Sequence, residues 1–182
     1  MDVGPIFLTG FMGVGKSKIG GLLAWRMGRV FLDTDEMVEA RAGKEISALF
    51  ADEGEAHFRQ LEHECVLEVG GRDDVVVALG GGAIVQDRNM QVIRRAGLLV
   101  CLEAEVDTIL ERVSRRDDRP LLSGLSEAEK RVKIEQMMAE RAPYYNQAHI
   151  KMLSNEGTTP EEAADKLIAL LEHWIEERDR TD

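Results

Sequence analysis

Eight residues near the start constrain this chain more than any others. Gly10-Phe11-Met12-Gly13-Val14-Gly15-Lys16-Ser17 follows the pattern G-x-x-x-x-G-K-[ST]. The run before it, Ile6-Phe7-Leu8-Thr9, reads as a short strand. After it, Ile19, Leu22, Leu23 and Met27 share one helical face, and Gly28 reads as a stop signal. In a strand–loop–helix setting each position has a chemical reason. The glycines let the backbone turn its N–H groups inward around phosphates. The helix N-terminus adds partial positive charge, Lys16 a full charge toward the β- and γ-phosphates, and Ser17 a hydroxyl for Mg²⁺. A chance match to a mere connecting turn is on the order of one in a hundred for a chain of this length. The context favours nucleotide binding.

The remaining chain alternates short apolar runs with longer helical patterns, which predicts an α/β fold with a parallel sheet. Further strands are expected at Val30–Leu32, Val75–Leu79, Leu98–Leu102 and Ile150–Leu153. Val75–Leu79 is apolar throughout, as a strand buried on both faces should be. Residues 34–70 read as helical and interrupt the alternation. Residues 114–126 are polar, then carry Pro120 and Gly124, and read as a mobile surface loop. Ser126 and Glu129 form a capping box for a helix expected to end near Pro143. Thr159, Pro160 and Glu162 open the last helix in the same way, with a stripe of Ala163, Leu167, Ile168, Leu171, Trp174 and Ile175.

Composition narrows the partners. With 34 acidic against 23 basic residues the net charge is −11, which argues against nucleic acid. If the ligands are anionic, the basic residues must be concentrated at the site. Cys65 and Cys101 have no CxxC spacing and read as buried free thiols. No apolar run reaches the length of a membrane span, and Met1 to Pro5 lead straight into a strand, so no signal peptide and a cytoplasmic location are expected.

Several residues stand out beside the phosphate loop. On an extended backbone Asp33 and Asp35 would project together beyond the carboxyl end of the second strand, where open α/β sheets bind ligands. Asp33 is assigned to the metal, directly or through water, and Asp35 to a substrate hydroxyl; a helix N-cap is the bland alternative. Gly80-Gly81-Gly82 after the third strand lets a ligand approach the backbone. Arg59, Arg119 and Arg141 are each unremarkable alone, but arginines suit a carboxylate clamp and a cation on a migrating phosphoryl group. His57, His63, His149 and His173 lack zinc spacing and read as surface or partly buried. Met137-Met138 reads as core or helix surface, and Glu127 to Lys133 as a solvated helical face.

Together, Gly10 to Ser17, Leu32-Asp33-Thr34-Asp35, Gly54-Glu55-Ala56 to Phe58-Arg59, Leu79-Gly80-Gly81-Gly82, Arg119-Pro120-Leu121-Leu122 and Arg141-Ala142-Pro143-Tyr144-Tyr145 resemble the shikimate kinase family, over essentially the whole chain. The resemblance implies one kinase domain, 1–182. It would be a three-layer α/β/α P-loop fold like that of nucleoside monophosphate kinases, with a five-stranded parallel sheet of order 2-3-1-4-5. It would carry a substrate-binding insertion at 34–70 and a lid at 114–126. It implies transfer of phosphate from ATP to the 3-hydroxyl of shikimate, in aromatic amino acid biosynthesis, with one Mg²⁺ per subunit, in a monomer.

By resemblance Asp35, Arg59, Gly80, Gly81, Gly82 and Arg141 bind shikimate, with Arg59 and Arg141 on its carboxylate and Asp35 on the ring hydroxyls or acting as base. Gly13 to Lys18 and Arg119 contact the phosphates; Arg112 and Pro160 flank the adenine, with Arg115 an equal neighbour. Lys16, Asp35 and Arg119 form the catalytic set, and Ser17 and Asp33 the metal set. Lys18 stands where many relatives carry threonine. Two alternatives remain: another small-metabolite kinase, for gluconate or aminoshikimate, or a nucleotide-binding homologue without catalysis.

Overall fold

The structure, a computed structural model, describes residues 3–114, 122, 124–155 and 157–180. Five strands form one parallel sheet: β1 (Ile6–Thr9), β2 (Val30–Asp33), β3 (Val75–Ala78), β4 (Leu98–Glu103) and β5 (Ile150–Leu153), in the order β2-β3-β1-β4-β5. This is the order the resemblance implies. The β1 strand is central and buried on both faces, and its alternation divides the core. Ile6 and Leu8 join Leu23, Leu102 and Leu167 on one side, while Phe7 joins Val66, Val77 and Ile93 on the other. Successive side chains of a strand point to opposite faces, so an uninterrupted apolar run feeds two cores at once.

The first core packs under α1 (Lys16–Met27) and α7 (Pro160–Asp179). Helix α1 buries Ile19, Gly20, Leu23 and Ala24, so the buried face is rotated from the expected stripe and leaves Leu22 half-buried. The reason is contact: a Cβ on Gly20 would fall within 3.0 Å of Phe31 and Leu8 side chains, so the helix lies close on the sheet there. Gly28 ends α1 at φ 65°, as anticipated. The second core packs under α3 (Ile46–Gly70) and α4 (Asp87–Ala96). Ahead of α3 lies α2 (Thr34–Ala42), and the two enclose a small satellite core of Val38, Leu49, Phe58 and Cys65. Helix α3 is kinked at Gly54, which has φ 82° and ψ 171°.

On the far side, α5 (Val106–Ser114) and α6 (Glu127–Tyr145) follow β4. Both expected capping boxes form, at Ser126 with Glu129 and at Thr159 with Glu162. Helix α6 ends near Pro143 as expected, at Tyr145, with the proline inside its last turn. Tyr145 is buried in the second core, and its burial favours carrying the last turn past the proline. Strand β3 stops at Ala78 rather than Leu79. Cys65 and Cys101 are buried free thiols, and burial pushes Cys101 up to about 12. Among the described residues no helix is long and apolar enough to cross a membrane.

Candidate active site

The phosphate loop leaves β1 and turns into α1 through Gly15, whose φ of 99° is readily reached only without a side chain. No side chain caps α1, so its first amides face the loop. Lys16 Nζ folds back and donates to the Gly10 and Phe11 carbonyls at 2.9 and 3.1 Å. Arg112, from α5, donates to the Gly13 carbonyl at 3.2 Å and brackets the loop from the other side. Gly10 to Gly15 thus form a shell closed by two cations.

Asp33 and Asp35 do lie together, but not for the reason the extended-backbone argument gives. The chain is already helical at Thr34. Asp33 is the N-cap of α2, and its Oδ1 accepts from the Asp35 amide at 3.0 Å. Its other oxygen, Oδ2, accepts from Ser17 Oγ at 2.8 Å. The bland and the functional roles therefore coexist, one on each carboxylate oxygen. Buried Thr34 accepts from the Gly80 amide at 2.9 Å and fixes the glycine run against α2.

At the other end of the cleft, Arg59 on α3 pairs with Glu62 at 2.9 Å and Glu55 at 3.2 Å. Burial alone would lower the guanidinium, but the two carboxylates outweigh it and hold it above its ordinary value. Glu62 is the unexpected member. Its side chain is 1 % exposed, and its Oε1 has no hydrogen-bond partner among the described residues. Burial pushes its carboxyl above the usual range, and Asp35 adds to the rise; Arg59 opposes it. Its only sequence signal is the three-residue spacing from Arg59, which pairs them on one helix face but says nothing of burial. Arg141 on α6 donates to the Gly81 carbonyl at 2.9 Å and lies over the Phe11 ring at 5.6 Å. A Cβ on Gly82 would sit 3.0 Å from both Arg59 Nη atoms, so the triplet lets the arginines press onto the backbone.

These groups share one cleft of about 660 Å³. Gly13 to Lys18, Asp33, Arg112 and Pro160 line its loop end. Asp35, Arg59, Gly81, Gly82 and Arg141 line the other, with Gly80 buried directly behind Asp35. Phe58 beside Arg59 adds to the wall, and Ser154, Thr158, Ile46 and Phe50 complete it with residues that the sequence did not single out. Five cations, Lys16, Lys18, Arg59, Arg112 and Arg141, face three carboxylates, Asp33, Asp35 and Glu62. An excess of positive charge inside a chain of net charge −11 is the concentration that anionic ligands require. Arg119, Arg115 and most of 114–126 lie outside the described residues, so the structure assigns them no place.

A phosphate loop on the central strand of a 2-3-1-4-5 parallel sheet, with a helical insertion facing it across a cationic cleft, defines a small-molecule kinase of the nucleoside monophosphate kinase-like P-loop class. The shikimate kinase family model matches residues 12–172. The chain belongs to the shikimate kinase family. A shikimate kinase of Salinibacter ruber is 48 % identical over 79 % of this chain and 74 % of its own length. One of Chlorobium luteolum is 44 % identical over 91 % and 86 %. Among solved structures, shikimate kinase from Bacteroides thetaiotaomicron superposes with TM-score 0.88 at 35 % identity, covering 93 % of this chain and 99 % of that one. Shikimate kinase from Acinetobacter baumannii in complex with shikimate does so with TM-score 0.86 at 35 % identity, covering 93 % of each.

Proposed function

We propose that this chain transfers the γ-phosphoryl group of ATP to the 3-hydroxyl of shikimate, giving shikimate 3-phosphate and ADP. The observation that carries this reading is the two-ended cationic cleft: a phosphate loop at one end, and at the other a carboxylate beside two arginines pressed onto glycine backbone. Family membership and the shikimate-bound Acinetobacter relative support the substrate.

The loop amides and Lys16 hold the β- and γ-phosphates, with Gly13 to Lys18 wrapping the chain of phosphates. Lys18 meets the α-phosphate as a charge rather than a hydroxyl. Arg112 and Pro160 flank the adenine. Arg59 and Arg141 grip the acceptor carboxylate, backed by Gly80 to Gly82. Asp35 orients the ring hydroxyls and takes the proton of the attacking one. Segment 34–70 is the acceptor-binding insertion. Segment 114–126 acts as a lid that delivers Arg119 to the phosphates and excludes water.

Ser17 and Asp33 are the metal pair. Their oxygens, 2.8 Å apart, are hard donors of the kind Mg²⁺ takes, and they are few, which suits an ion that keeps its waters and binds substrate phosphates. When bound, Mg²⁺ would neutralise charge on the phosphates and help orient them. Rate enhancement in this chain then comes mostly from positioning and charge neutralisation. The enzyme acts as a cytoplasmic monomer.

A coupled ADP-release assay over shikimate, aminoshikimate and gluconate tests the substrate. Shikimate should give the highest kcat/KM; ATP affinity without shikimate-dependent turnover would support a regulatory homologue instead. Arg59→Ala should raise the shikimate KM far more than the ATP KM, and equal movement of both would remove the clamp. A Sinorhizobium meliloti gluconokinase shares the fold at TM-score 0.62 but only 18 % identity, so it bears on architecture alone.

A further inference from the structure

Asn89 is fully buried, and none of the roles above uses it. It sits in the first turn of α4 and makes two side-chain bonds. Its Nδ2 donates to the Ala83 carbonyl at 3.0 Å, and its Oδ1 lies 2.7 Å from His63 Nδ1. A carbonyl can only accept, so the Ala83 bond fixes which end of the amide is which. Oδ1 then faces His63, and His63 Nδ1 must carry the hydrogen and donate it. The pair ties α3 to the turn that follows Gly80 to Gly82.

Each end of this tie adjoins a group assigned above to the acceptor carboxylate. His63 lies four residues beyond Arg59, one turn along the same helix face. Ala83 directly follows Gly82, whose backbone lies against the Arg59 guanidinium. Arg88, next to Asn89, adds an exposed strap: Nη2 donates to the Arg59 carbonyl at 2.7 Å and Nη1 to Gln60 Oε1 at 3.1 Å. The exposed strap competes with water, whereas the buried amide has no such substitute, so the amide dominates the spacing.

We propose that Asn89 and His63 are positioning residues for the acceptor carboxylate: together they set the gap between Arg59 on α3 and the backbone at Gly81 and Gly82. A carboxylate gripped across such a gap is sensitive to displacements of about 0.5 Å, because its hydrogen bonds require aligned donors. Neither residue lines the cleft. The proposal rests on the function proposed above.

The test compares Asn89→Ala, His63→Ala and His63→Gln with the wild type, reading KM for shikimate, KM for ATP and Tm. Gln keeps an N–H donor where Ala has none. Both alanine variants should raise the shikimate KM about tenfold, with the ATP KM within about twofold, and His63→Gln should recover most of the loss. Ile93→Val, buried on the same helix, should lower Tm while leaving both KM values in place. If Asn89→Ala does not fold, the two variants at half-buried His63 decide the matter. Unchanged shikimate KM, equal movement of both KM values, or a glutamine variant as impaired as the alanine would overturn the proposal. Wild-type enzyme that binds ATP but does not turn over shikimate would instead overturn the function, before any variant is compared.

Discussion

Adding one methyl group behind the candidate base should cost this chain its activity while sparing its fold. Gly80 lies between Thr34 and the two site carboxylates, and its φ is not among the positive values of the chain, so alanine is conformationally allowed there. A Cβ built on it falls inside 3.0 Å of Asp35 Oδ1, 3.3 Å from Asp35 Cγ and 3.2 Å from Glu62 Oε1. Ordinary contact begins near 3.4 Å, so the Asp35 carboxylate must retreat by about 1 Å; displacement on that scale costs about 100-fold in a positioned reaction. The atom that yields is the tip of a side chain, not backbone, so the fold absorbs the change, and restricting the unfolded chain even favours alanine by about 0.4–1 kcal/mol. Gly80→Ala should therefore lose about two orders of magnitude in kcat/KM for shikimate, with Tm within about 4 °C of wild type and ATP KM little changed. The measurements are coupled ADP release at varied shikimate and differential scanning fluorimetry. Wild-type kcat/KM in a folded Gly80→Ala would show that Asp35 does not stand at the reacting centre. A large loss of Tm would refute the claim that the side chain, rather than the backbone, gives way.

Lys16→Ala should lower kcat by at least about 100- to 1000-fold with the secondary structure intact, since one preorganised cationic donor is lost and α1 keeps its own backbone bonds; near-normal turnover would remove Lys16 from catalysis. Glu62 makes a stability prediction with a definite sign. Its folded carboxyl titrates above its ordinary value of 4.5 because of burial. Between the unfolded and folded values the native state holds the proton and the unfolded state does not, so this group's contribution to stability falls as pH rises through that window. Glu62→Gln should remove that fall, so in urea unfolding from pH 4 upward the stability of the variant relative to wild type should increase with pH. A variant-minus-wild-type difference that falls with pH would mean that Arg59 has reversed the shift.

Much of this chain is readable without coordinates. The alternation of strands and helices, the loop from Gly10 to Ser17, both capping boxes and the glycine stop at Gly28 are local patterns whose causes lie within a few residues. The sheet order and the family followed from the resemblance, carried by motifs spread over the whole chain. Where the sequence argument went astray, the cause was non-local. Helix α1 buries Gly20 rather than Leu22 because Phe31 and Leu8 lie against it.

The sequence by itself determined which chemical groups are present and which element carries each, since periodicity, capping and turn chemistry act over short spans. Only the tertiary structure decided how those groups share charge and protons. Asp33 divides its two oxygens between a helix cap and Ser17. Glu62, an ordinary helical glutamate on paper, becomes a buried carboxylate behind Arg59, and Asn89 becomes the tie between α3 and the glycine turn. Burial and hydrogen bonding between residues dozens of positions apart are properties of packing, and no pattern in a single sequence encodes the dielectric around a side chain.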